Sequence, residues 1–144
     1  AEARVRQGLR LAEDRGLLNL LPYLYSTRGE LQLAAGDVDG AQESFLAGLA
    51  QAEAIGHQER IAGLNANLGL VARARGEHST AIHRLSTALA KAEAVGTQHL
   101  AAQIRIWLAP LLPPDEARLR LAEARVIAEA GGRKRLLEQI EAIE

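Results

Sequence analysis

Apolar residues recur every three to four positions along most of this chain, and single glycines interrupt the pattern at intervals. That spacing places side chains on one face of an α-helix. Val5, Leu9 and Ala12 form such a stripe over 1–15, which stops at Gly16. A helix over 20–35 has Pro22 in its first turn, where a missing N–H costs little. It closes at Gly36-Asp37, a C-terminal glycine followed by a capping acid. Three more stripes follow, Ala41/Phe45/Leu49/Ala52 over 38–54, Ile61/Leu64/Leu68/Val71 over 58–75 and Ala81/Leu85/Leu89/Ala92 over 78–95, and Gly56, Gly76 and Gly96 end them. No run alternates apolar and polar residues as a half-buried strand would. The expected fold class is all-α.

A longer period overlies the helical one. Leu49, Ala52, Glu53, Ala54 and Gly56 return as Leu89, Ala92, Glu93, Ala94 and Gly96. Gly29, Gly36 and Ala41 return as Gly69, Gly76 and Ala81, while Gly16, Leu24 and Leu68 find Gly56, Leu64 and Leu108. A repeat of roughly 40 residues lies in the range of solenoids, in which each unit buries its apolar face against its neighbours. The expected organisation is a single domain over 1–144. Segment 1–16 is the second helix of a preceding unit, 17–56 and 57–96 are units, 97–131 is a shortened unit, and 132–144 is a terminal helix.

The third unit breaks the pattern. Helix 98–108 begins as its predecessors do, but Ala109-Pro110-Leu111-Leu112-Pro113-Pro114-Asp115 replaces the glycine corner. Ala81 now finds Ala117 at an offset of 36, about one helical turn short of the period. Consecutive prolines cannot continue a helix interior, so Asp115 is expected to cap a helix over 115–130. Gly131-Gly132 ends that helix, and in the last one, 133–144, Leu136, Leu137, Ile140 and Ile143 are expected to cover the open end. Antiparallel pairing of these segments predicts seven helices.

Composition fits this reading and narrows the function. The chain is 48% hydrophobic with only one Trp, two Tyr and one Phe, so Ala and Leu carry the core. These residues lose little freedom in a helix. A net charge of −1 with both signs interspersed gives no reason to expect nucleic acid or an anionic membrane as partner. No stretch is apolar and long enough to span a bilayer, and no signal peptide is visible. The chain has no Cys, which suits a cytoplasmic protein. It has no Met and starts at Ala1 inside a helical pattern, which points to a piece of a longer protein.

Asn67-Leu68-Gly69, then Gly76-Glu77, Ala81, Leu85 and Ala88, resemble the tetratricopeptide repeat signature, as do Gly29, Gly36-Asp37, Ala41, Phe45 and Gly48 one unit earlier. The usual unit of that family is about 34 residues. The longer helices here resemble the variant in large bacterial signalling ATPases and transcription activators of the maltose-regulator type. Arg28, where Leu68 and Leu108 stand in the other units, and the corner at Pro110–Pro114 depart from the pattern. The resemblance implies a right-handed α–α superhelix of about three antiparallel pairs whose first helices line a concave face.

Projected by helical period, that face presents Tyr23, Thr27, Glu30 and Leu33, then Gly63, Asn67, Leu70 and Arg73, then Gln103 and Trp107. The candidate groove residues are Tyr23, Thr27, Glu30, Asn67, Leu70, Arg73 and Trp107. In the family, the position of Asn67 often holds a ligand's backbone or carboxylate. Asn67 can equally bond a neighbouring helix, as buried amides must, and a lone Trp can equally be core.

Catalytic chemistry is not expected. Ser26, Ser44, Ser79 and Ser86 have no activating motif around them, and the glycines sit singly at helix ends rather than in a phosphate loop. His78 and His83 are five apart and point to different faces, unlike a zinc-binding i, i+4 pair. His57 and His99 occupy equivalent helix starts and read as exposed end residues. Arg118, Arg120, Arg125, Arg133, Lys134 and Arg135 are interleaved with acids at helical spacing, as on a solvated face. The expectation is a non-catalytic module without metal or cofactor. It would bind a protein, a peptide or a small effector as part of a bacterial signalling or transcription-regulatory protein. A scaffold that spaces or assembles domains, self-associating through its N-terminal end, is the alternative.

Overall fold

The computed structural model describes residues 1–144 and is helical throughout, without a strand. Eight α-helices follow one another: α1 Glu2–Asp14, α2 Leu21–Ala34, α3 Val38–Ile55, α4 Gln58–Ala74, α5 His78–Val95, α6 Gln98–Leu108, α7 Pro114–Ala130 and α8 Lys134–Ile143. They correspond one for one to the segments between the breakers, which number eight, so the expected count of seven was one short. Short 3-10 turns at Leu18–Leu20 and Ala109–Leu111 lead into α2 and out of α6.

The helix ends follow from the residues that the repeat returns. Gly56 and Gly96 lie in the left-handed region, at φ 69° and 85°. In the first corner the His57 N–H reaches Ala52 O at 3.0 Å and Gly56 N–H reaches Glu53 O at 3.2 Å. The second reproduces both bonds with Thr97 to Ala92 at 3.0 Å and Gly96 to Glu93 at 3.1 Å. This double closure satisfies carbonyls that a helix end leaves open. Asp37 caps α3 by accepting from Gly40 N–H at 2.9 Å, and His57 caps α4 through Nδ1, which accepts from Arg60 N–H at 3.2 Å. Asp115 does not cap α7. That helix begins one residue earlier, at Pro114 after Pro113, and Asp115 sits in its first turn paired with Arg118.

The core is a row of clusters between successive helices. Val5, Leu9, Ala12 and Leu21 join α1 to α2. Ala41, Phe45, Ala52, Leu64, Leu68 and Val71 join α3 to α4. Leu85, Ala88, Leu89 and Ala92 of α5 pack with Ala66 of α4 and with Ala101, Ile104 and Leu108 of α6. Ala102, Ile106, Leu121, Ala124, Ala128, Leu136 and Ile140 join α6, α7 and α8. Small residues set the distance within pairs. A Cβ on Gly29 would collide with the Phe45 ring, and one on Gly69 would lie 2.8 Å from Leu85 Cγ. A buried hydrogen bond, Ser44 Oγ to Gln32 Oε1 at 2.6 Å, ties α3 to α2.

Both ends differ from expectation. Self-association through the N-terminal end would need Val5, Leu9 and Ala12 of the first helix to lack a partner, but α2 covers them; the exposed apolar surface there is Leu11, Leu17, Leu18 and Leu20 instead. At the other end Leu136 and Ile140 are fully buried and Leu137 partly so, while Ile143, in the last turn of α8, stays 41% exposed.

Candidate binding groove

Helices also touch their second neighbours: α2 meets α4, α4 meets α6, and α6 meets α8. Along α2, α4 and α6 runs an open cavity of about 550 Å³. Ser26 and Glu30 of α2 form one edge, and Glu59, Arg60, Gly63, Leu64, Asn67 and Leu70 of α4 form the floor. Thr97, His99, Leu100, Gln103 and Trp107 form the far edge on α6 and its cap. The alternation of first and second helices puts these three on one side, since every corner is a short reversal.

Hydrogen bonds organise the floor. Asn67, 5% exposed, donates from Nδ2 to Ser26 Oγ at 3.2 Å, and Ser26 donates in turn to Glu30 Oε1 at 3.4 Å. Glu30 as a residue is exposed, but partial desolvation of its carboxyl against the groove raises its pKa, while the Ser26 hydrogen bond and the Arg60 charge partly oppose the shift. The Arg60 guanidinium lies over the Tyr23 ring, 5.1 Å from its centre, at cation–π distance. Thr97 donates to Glu59 at 3.2 Å, linking the α6 cap to the first turn of α4. Gln103 exchanges amide hydrogen bonds with Gln139 of α8, at 2.7 and 3.2 Å.

Of the seven candidates, Glu30, Asn67, Leu70 and Trp107 line this cavity together. Tyr23, 51% exposed, stands beside it under Arg60. Thr27 turns back on its own helix, its hydroxyl donating to Tyr23 O at 3.0 Å. Arg73 reaches the carbonyl of Trp107 at 3.0 Å and so braces α4 against α6; burial lowers its pKa. It holds the wall of the groove rather than its opening. Asn67 does both things its position allows, bonding α2 while lining the cavity. Helical projection passed over Ser26, Glu59, Arg60, Leu64, Thr97, His99 and Leu100, and of these Ser26 and Arg60 contact the candidate residues directly. Arg60 stands seven before Asn67, two turns along the same face, so the period could have found it. Ser26, one place before the repeat equivalent of Asn67, could not be found that way.

A second cleft, of about 560 Å³, is walled by Asn65, Ser79, Thr80, His83, Arg84 and Thr87. All of these but Asn65 are exposed and none is an apolar residue, so this cleft has no buried polar side chain and no apolar side chain to fix a ligand. The α2–α4–α6 groove combines apolar area, a buried amide and charges of both signs. No helix is long and apolar enough to cross a membrane. Comparison with protein-family models, curated proteins and solved structures finds no match to this chain.

Proposed function

We propose that this chain is a non-catalytic recognition module of the tetratricopeptide kind, a right-handed α–α superhelix that binds a peptide segment or small effector along α2, α4 and α6. The contacts between second neighbours support the superhelical reading, because stacked pairs bring first helices side by side. One observation carries the binding reading: Asn67, almost wholly buried, lies in the floor of a 550 Å³ groove with Glu30, Arg60, Leu70 and Trp107 around it. Such a site, apolar area with a few convergent polar groups, is the usual make-up of a ligand pocket. The sequence resemblance to maltose-regulator-type proteins favours, for this reading, a bacterial cytoplasmic signalling or transcription-regulatory protein as its setting.

Trp107 supplies the test, since it is the sole tryptophan and lines the groove. A panel of random peptides titrated against the chain should include members that shift its emission. Those members should bind Asn67→Ala and Glu30→Ala more weakly. Ligands that bind without altering Trp107 emission, and bind both variants unchanged, would remove the groove from consideration.

A scaffold reading has its own observation. Leu11, Leu17, Leu18 and Leu20, each 45–51% exposed, gather at the N-terminal end, and an apolar patch of that kind favours association. In that reading the chain self-associates there and spaces other domains.

A further inference from the structure

Arg28 breaks the repeat: at its register the later units carry Leu68 and Leu108, both buried core residues. A guanidinium at a leucine position needs partners, and Arg28 lacks them. Its Nε is buried without a hydrogen-bond partner, and the ion pairs of the chain run through other arginines. Buried donors nearly always have a partner, and leaving a charged one without it is costly. Beside Arg28 lies a cavity of about 210 Å³ between α2 and α3, which shares no residue with the groove. Tyr25, Arg28 and Gln32 wall it on α2, at the spacing of one helix face, and Ser44 and Ala47 wall it on α3. Gln32 and Ser44 are 8% and 5% exposed, and Ser44 donates to Gln32 Oε1. The Gln32 amide N–H groups therefore remain as donors. Glu43, itself exposed, is the one acid in the lining.

The third unit shows what fills the corresponding place. Phe45 and Ala52 of α3 match Leu121 and Ala128 of α7 in register, so Ser44 and Ala47 match Arg120 and Glu123, while Tyr25 of α2 matches Arg105 of α6. There the Glu123 carboxylate accepts from Arg105 Nε at 2.8 Å and from Arg120 Nη1 at 3.3 Å. A carboxylate from the second helix thus meets a guanidinium from the first. In the first unit Arg28, one turn along from Tyr25, supplies the guanidinium, but Ala47 has no acid to offer. Guanidinium and room are kept, and the carboxylate is missing.

We propose that the cavity between α2 and α3 is a carboxylate-binding site, in which Arg28 Nε and the Gln32 amide donate to an acid from outside the chain. Charge-assisted bonds of this kind are the strong ones. At 210 Å³ the cavity is smaller than the roughly 300 Å³ at which pockets for drug-sized ligands begin. It suits a small carboxylic acid or one acidic side chain of a partner. The site stands independently of the α2–α4–α6 groove.

The Arg28 Nε–Hε resonance and Tm are followed while sodium acetate is added at neutral pH, with sodium chloride at equal ionic strength as reference. Acetate alone should shift that resonance saturably and raise Tm by a few degrees, as a ligand of the native state does. Arg28→Leu, which carries the residue of the other units, should fold and lose the Tm response. Ala47→Glu, an acid at the register of Glu123, should raise Tm without acetate and abolish the response, and Arg28→Leu in the same chain should cancel that gain. N-acetylglutamate N-methylamide then separates the two sources: saturation below the acetate concentration assigns the acid to a partner's side chain, saturation at or above it to a free acid. An acetate response that survives Arg28→Leu would overturn the proposal. So would a wild-type chain indifferent to acetate, and a response that emerges only in Glu43→Gln would show that Glu43 itself fills the site.

Discussion

Gly69→Ala tests the helix-pair geometry most directly. Gly69 lies on α4 where α5 comes closest, and a Cβ there would stand 2.8 Å from Leu85 Cγ, 3.0 Å from its Cδ2 and 3.4 Å from its backbone nitrogen. Two effects compete. Alanine favours the helix interior over glycine by roughly 0.5–1 kcal/mol. Against that, an added carbon in a packed contact costs about 1–3 kcal/mol when neighbours must shift. Leu85 cannot easily move aside, because it is fully buried and packed with Ala66, Ala88 and Ile104. Overpacking should therefore win, leaving Gly69→Ala less stable by on the order of 1–2 kcal/mol. In a chain of 144 residues this lowers Tm by roughly 3–8 °C. Thermal and urea unfolding followed by far-UV circular dichroism would read it, with Gly63→Ala, six residues earlier on the same helix, moving the opposite way, since a Cβ there would meet only Leu100 Cδ2 at 3.9 Å. If Gly69→Ala matched or exceeded wild-type stability, the α4–α5 approach described here would be wrong.

Two further outcomes follow from the groove and the N-terminal end. Since partial desolvation raises the Glu30 pKa in the folded chain, the native state holds that proton more tightly than the unfolded state; the group's contribution to stability falls as pH rises from the ordinary carboxyl value through the raised one. Glu30→Gln should thus gain stability relative to wild type at pH 7 and lose that advantage by about pH 4, the ordinary carboxyl range; a difference in Tm that does not change over this interval would contradict the partial desolvation of the Glu30 carboxyl. For the N-terminal leucines, the scaffold reading expects a concentration-dependent dimer in sedimentation, abolished by Leu18→Ser/Leu20→Ser. A wild-type chain that stays monomeric at high concentration would dismiss it.

The helical class and most helix boundaries were legible in the residues themselves. Glycines at the corners, the stripes beginning at Val5, Ala41, Ile61 and Ala81, and the proline corner at 110–114 act within one or two turns of chain, so local chemistry suffices to read them. The repeat put the ends of α3 and α5 at Gly56 and Gly96, and both helices do end there, with the same pair of hydrogen bonds. Local signals also left small errors, such as the start of α7 at Pro114 instead of a cap at Asp115. What tertiary structure alone decided was which side chain on a favoured face meets which neighbour. Thr27 and Asn67 share a register, yet the threonine bonds its own helix while the amide crosses to Ser26, 41 residues away in sequence. Arg73 left the groove for a carbonyl 34 residues on. Val5, Leu9 and Ala12 were covered by α2, and four other leucines took the exposed end. A helical period assigns a residue to a face about a third of the circumference wide. The angle and distance at which two helices cross, set by packed volumes such as Phe45 on Gly29 and Leu85 on Gly69, determine the partner.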